Sequence, residues 1–262
     1  MSVPDAEQPA PLGTLDAVPG AESIRRLSAI DAVRARILLA IEHGLLAPGE
    51  RLPSMPALAS GLDVSEITVR RALATLVDDG LLVTRRGRGG GTFVTLDPPQ
   101  VHDSAVSAYR ADEQAIRLLI DQRGLMEGAI AATAADTADA AECDELERLL
   151  LEAEAATNWS DFHRADRAFH LRCAEISRLP EAPGYVAVYR TLTRYFLPYP
   201  VERLRGTHAE HRRLVQAIRD RDARSAAEVA RAHVSSLHRD MFIGLPRGAE
   251  GRPTAPAVES AP

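Results

Sequence analysis

Four side chains in the C-terminal half of the chain are of the types that hold a metal. Asp166 and His170 stand at i and i+4 in the run DRAFH, so a helix puts both on one face. His211 opens the run HRRLVQAI on a second helical stretch, and His233 lies on the last one. Three imidazoles and one carboxylate suit a divalent cation of intermediate softness: Zn first, with Ni, Co or Mn as alternatives. Asp166 supplies the negative charge that imidazoles lack. Spacing alone does not force these stretches to converge, and a lone helical His is more often a surface or core residue. His163, His208 and His238 are read that way, although His208 sits one turn before His211.

A second chemistry lies in the N-terminal half. The run ALASGLDVSEITVRRALATL has the spacing of a helix-turn-helix. Val69, Leu73, Leu76 and Val77 form its packing face, and Thr68, Arg70, Arg71 and Thr75 lie off it. Ser65 and the helix N-terminus can meet a phosphate through backbone N–H groups. The following run RRGRGGGTF joins Arg85, Arg86 and Arg88 to Gly89 and Gly90, which let backbone approach DNA closely. Each feature alone is an ordinary surface helix or hairpin; together, in this order, they point to DNA.

The elements that must position these groups follow from periodicity and punctuation. Val33, Ile37, Leu38 and Ile41 make a helical stripe that Gly44 stops. MPALASGL is a short helix, Asp63-Val64 a tight turn, and Ser65 the N-cap of a helix ending at Gly80. LLVTRR and GTFVTL are two strands around GRGGG. That order is a winged helix-turn-helix over 23–96. DPPQVHD at 97–103 reads as a linker, since adjacent prolines stiffen the chain and remove donors. Beyond it lies an all-α bundle over 104–243, with helices near 110–135, 138–156, 159–178, 182–197, 207–220 and 222–241. The ends, 1–22 and 244–262, are rich in Pro, Ala and Gly without periodicity and read as disordered tails. The fold class is mainly α.

Composition limits the function classes. The 262 residues are 45% hydrophobic and 26% charged, with a net charge of -6, which is a globular composition. No apolar run approaches the roughly 20 residues that cross a bilayer, and the N-terminus lacks a secretory pattern. Cys143 and Cys173 are too few for a disulfide framework, so a cytoplasmic protein without membrane partners is expected. All 31 basic residues are Arg. Charge is split: residues 23–96 carry ten Arg against seven acids, whereas 97–262 carry an acidic excess.

The segment from Ile37 to Val94 closely resembles the DNA-binding domain of GntR-type bacterial transcription regulators. Gly44, PGERLPS, Leu58-Ala59, Val64-Ser65, TVRRAL, Gly80-Leu81 and Gly91-Thr92-Phe93-Val94 carry the resemblance. It implies DNA-facing roles for Thr68, Arg70 and the wing glycines. Met55-Pro56 and Glu66 stand where such proteins often carry arginine contacts, which alters the expected operator sequence. Residues 110–241 resemble the FCD ligand-binding domain of the FadR-like branch, through Arg123 and Glu127, DRAFH, and EHRRLVQAIRDRDARSAAEVARAHV. The resemblance implies a metal held by Asp166, His170, His211 and His233, with a small carboxylate effector beside it. SRLPEAPG replaces a Gly-Asn pair often found after DRAFH.

A guanidinium near such a metal can hold the acid's remaining oxygens, and Arg123 is the candidate. Arg123 can equally close a salt bridge to Glu127 at i+4. Tyr189 and Tyr195 are candidate pocket linings, although aromatics at helical spacing commonly serve the core. The expected protein is a homodimeric regulator, a repressor, on a palindromic operator and not an enzyme. The rivals are a metal-dependent hydrolase using the Asp/His cluster, for which no H-E-x-x-H motif is present, and a winged-helix adaptor for proteins.

Overall fold

Three serines open the N-terminal helices. Ser28, Ser54 and Ser65 sit in extended backbone, and each side chain accepts an N–H from the first turn that follows. The computed structural model describes residues 27–245. In it, α1 is Ala29–Glu42, α2 Met55–Leu62 and α3 Glu66–Asp78. Asp63 takes left-handed backbone, φ 56°, between α2 and α3, a conformation that Asp tolerates better than most residues. β1 (Leu82–Arg85) and β2 (Gly91–Val94) form an antiparallel hairpin with Leu82 opposite Val94. Arg51 adds an unforeseen bridge to Phe93. Val69, Ala72, Leu73 and Leu76 of α3 are buried; Val77 is only half-buried.

The C-terminal half is helical: α4 Ser104–Ala111, α5 Glu113–Thr137, α6 Ala140–Glu154, α7 Trp159–Ser177, α8 Ala182–Thr193, α9 Val201–Leu204, α10 Gly206–Arg219 and α11 Ala223–Asp240. The long α5 packs most extensively on α11 and also meets α7, α8 and α10. No described helix is long and apolar enough to cross a membrane.

Several boundaries differ from the sequence expectation. α4 is a helix of its own, capped by Asp103 and separated from α5 at Asp112. α8 stops at Thr193 rather than 197, because Pro198 and Pro200 exclude helix from the residues before them and Phe196–Tyr199 instead run buried through the core. The short α9 was not foreseen. Gly244 closes a 3₁₀ turn and Leu245 packs on the core, so the C-terminal tail starts no earlier than 246. That tail and the N-terminal one, 1–22, otherwise lie outside the described residues.

The two halves are not separately packed. One apolar cluster runs from Leu39, Leu58 and Leu76 through Trp159, Leu192 and Phe196 to Val234 and Phe242. A second, around Ile130, Leu146, Phe169 and Tyr185, fills the far end of the bundle.

Candidate metal centre and nucleic-acid interface

The three imidazoles converge. His170 on α7, His211 on α10 and His233 on α11 are buried, and one ring nitrogen from each lies within 4.8 Å of the others. His211 Nε2 is 3.3 Å from His233 Nε2. Asp166, also buried, places Oδ1 3.7 Å from Nε2 of both His170 and His211. The sequence quartet is thus one cluster.

Carboxylates orient two of the rings. His233 Nδ1 is 2.8 Å from Glu210 Oε2, and His170 Nδ1 is 2.7 Å from Glu127 Oε1. A carboxylate at Nδ1 favours the tautomer whose proton sits there, leaving Nε2 as a lone pair turned into the cluster. His170 Nε2 is buried and has no hydrogen-bond partner. An orphaned acceptor of this kind is costly unless a cation completes it. Burial, with the neighbouring His233 and His170, pushes His211 well below the usual imidazole range. Three imidazoles beside a carboxylate fit a divalent ion.

Glu127 joins the cluster to Arg123. Its Oε2 accepts from Arg123 Nε at 2.8 Å and from Tyr185 Oη at 3.0 Å. Burial alone would push its carboxyl up, yet Arg123 and His170 hold it well below the usual range. The i+4 salt bridge weighed for Arg123 is therefore present. Arg123 also faces the cavity next to the cluster, and its guanidinium lies 4.5 Å from the Tyr189 ring centre. That cavity measures about 270 Å³ and reaches Asp166 and His233.

Tyr189 is buried with its ring 5.6 Å from His170, between the cluster and the core. Tyr195 is elsewhere. Its hydroxyl donates to Asp112 Oδ2 at 2.7 Å, and its ring packs on Tyr109 and Phe242. It is a core residue away from the cavity, because the carboxylate at the α4–α5 break claims its hydroxyl. His163, by contrast, lines the cavity, and burial pushes it down to about 4.

Glu210 is the residue that sequence reasoning missed. It stands beside His211 in the sequence, but its partner is His233 on another helix, so linear spacing gave no signal.

The other candidate surface belongs to α3 and the hairpin. Ser65 Oγ accepts from Thr68 N at 3.1 Å and lies 2.9 Å from Thr68 Oγ1. Arg70 and Arg71 are exposed on the side of α3 away from its buried face. Arg85 lies over the Phe93 ring at 4.4 Å, while Arg86 and Arg88 project from the turn. Gly89 has φ 82°, and a Cβ on Gly90 would stand 2.4 Å from Arg85 O, so this turn requires both glycines.

The DNA-binding half is docked on the helix that carries Asp166 and His170. α2 packs against α7. Gly61 is flush with Trp159 and Ser160, where a Cβ would stand 2.8 Å from the Trp159 ring and from the Ser160 Cα, and closer still to Ser160 Oγ. Ser160 Oγ donates to Ala57 O, and Arg167 pairs with Asp63 at 3.0 Å. Arg36, buried in α1, donates to Leu62 O at 3.0 Å and to Phe196 O at 2.6 Å. Phe196 is a wall of the cavity.

Comparison with known proteins agrees with this architecture. Residues 22–94 match the model of bacterial regulatory proteins of the gntR family, and 118–236 match the FCD domain. A Mycobacterium gastri protein named as the HTH-type transcriptional regulator RmpR is 30% identical over 90% of this chain and 89% of its own. LutR, an HTH-type transcriptional regulator of Bacillus subtilis, is 26% identical over 78% of this chain and 96% of its own. A solved Streptococcus agalactiae GntR is 23% identical, covering 80% of this chain and 99% of its own with a TM-score of 0.43. The matched family models and the two curated relatives are those of transcription regulators, neither hydrolases nor protein adaptors. The chain belongs to the gntR family of bacterial regulatory proteins, as a DNA-binding transcription regulator with an FCD domain.

Proposed function

We propose that this regulator is a homodimeric repressor whose grip on a palindromic operator is controlled by a small carboxylate bound at a divalent metal. The observation that carries the reading is the convergence of three buried imidazoles, one with an orphaned Nε2, on the Asp166 carboxylate beside a cavity. Asp166, His170, His211 and His233 would hold the ion, Zn being the best fit to this donor set. Bound there, the metal supplies a Lewis-acidic site for a carboxylate oxygen.

The chain's own residues do the rest. Glu127 and Glu210 fix the ring orientations of His170 and His233. Arg123, already neutralised by Glu127, offers its remaining N–H donors to the acid. An Escherichia coli relative, 29% identical over 83% of this chain and 87% of its own, is named as an L-lactate dehydrogenase operon regulatory protein, which supports an organic acid as effector. Signal passage needs a ligand that binds two states unequally. The contacts of α7 with α2, and of Phe196 with Arg36, supply a physical route from cavity to helix-turn-helix.

Elemental analysis with thermal shift tests the proposal. The purified protein should carry close to one divalent metal per chain, and organic acids should raise its melting temperature only when metal is present. Wild-type protein that stays metal-free after incubation with Zn or Ni would end it.

A further inference from the structure

Ile67 is a large apolar side chain on the solvent side of α3. It lies in the first turn, after the Ser65 cap and Glu66, and is 63% exposed. Successive helical residues turn by about 100°, so Ile67 projects opposite the buried face of Val69, Ala72, Leu73 and Leu76. With that buried face α3 packs on α1, α2 and β1. Arg70 and Arg71 flank Ile67 at i+3 and i+4, and both are exposed.

The chemistry of this turn fits a base edge better than a phosphate. Isoleucine offers a phosphate no donor, and Glu66, also exposed, presents it a like charge. In the major groove each base pair shows a distinct edge, and thymine adds an apolar group, its C5 methyl. The N-terminal residues of a recognition helix are the ones that meet base edges. Arg70 and Arg71 place cations beside the apolar spot, within a segment, 23–96, that carries ten Arg against seven acids. A polyanion is the partner that such a charge attracts.

We infer that Ile67 packs on the C5 methyl of a thymine in each operator half-site and so selects the base that stands there. This contact rests on the reading of α3 as the helix that enters the groove. It adds to that reading the base and the group that is read.

Fluorescence anisotropy tests it, on DNA selected from a randomised pool by the full-length wild type. Each thymine of a half-site is replaced in turn by deoxyuracil, which pairs as thymine does and lacks only the methyl. One such replacement should weaken the wild type about three- to fivefold at fixed salt, as expected for one buried carbon. Ile67→Ala, at an exposed position where folding is not at risk, should bind the thymine and deoxyuracil forms alike. A selected half-site without thymine, or a wild type indifferent to every replacement, would overturn the thymine contact. A methyl preference that survives Ile67→Ala would overturn the assignment to Ile67. Arg70→Ala on the same DNA keeps the two readings apart. If it also binds as the wild type does, α3 leaves the groove; if it loses affinity while Ile67→Ala keeps the methyl preference, the Ile67 contact alone falls. Sedimentation of Ile67→Ala covers the other occupant: a lost dimer with the methyl preference kept would place Ile67 against a second copy and overturn its contact with DNA.

Discussion

Arg36 Nε donates from a buried guanidinium to the carbonyl of Phe196 at 2.6 Å. Its other bond goes to Leu62 O at the end of α2. A single side chain thus ties the cavity wall to the helix that precedes the recognition helix. Replacing it by Met leaves two carbonyls without that donor, at a cost of about 1–3 kcal/mol for a buried unsatisfied group. Arg36→Met should fold with reduced stability and bind acid and DNA singly, yet the change in operator Kd on adding acid should shrink several-fold. Fluorescence anisotropy with and without acid measures it, and undiminished coupling would remove Arg36 from the route.

Gly61 makes the neighbouring contact. Its missing side chain lets α2 lie on Trp159 and Ser160, where even a Cβ would stand only 2.8 Å from backbone. Gly61→Ala should destabilise the protein by about 1–3 kcal/mol as an overpacked contact. Urea denaturation should show a lower midpoint; an unchanged midpoint would mean that the α2–α7 contact does not persist in solution.

Much of this molecule was legible in one dimension, for reasons tied to particular residues. Ser65, Gly80 and the wing glycines act locally, so their types alone set caps and turns. Asp166 and His170 share a helix, which fixes their relation in advance. What stayed hidden depends on tertiary contact. Glu210 reaches His233 from another helix, Tyr195 is drawn away by Asp112, and Arg36 acts only once α2 has met α8's end. His163 looked like a filler residue because its empty Nε2 is a property of the cavity, not of the sequence.

Glu210→Gln keeps the shape of the side chain and removes its charge. Loss of a carboxylate behind a metal-binding imidazole typically weakens the metal by about 10–100-fold. Competition with a chelating dye should show that loss with the fold intact by circular dichroism. Unaltered metal affinity would show that the Glu210–His233 pair serves packing alone.

On the DNA side, Arg70→Ala should weaken operator binding by about 1–3 kcal/mol at fixed salt without changing the melting temperature. Anisotropy on DNA selected from a randomised pool measures it. Equal affinity would take Arg70 out of the interface.

His163 makes the metal-free protein sensitive to acid. The folded state pushes its imidazole from 6.5 down to about 4, so the unfolded chain binds the extra proton between those values. Stability from this group is full above pH 6.5 and is lost as pH falls toward 4, by up to about 3 kcal/mol. Urea midpoints of metal-free wild type and His163→Gln should converge as pH drops from 7 to 4.5. A constant gap between them would contradict the shift.

The proposed control of DNA binding by an acid at the histidine cluster is open to direct measurement. It is tested most directly by the operator Kd of Zn-loaded protein, titrated with an organic acid that raises its melting temperature, for wild type beside His170→Ala. Wild type should show a several-fold change in Kd and the variant none, with both binding DNA alike when the acid is absent. An equal response in the two proteins would contradict it, as would a wild type whose Kd ignores every acid that binds.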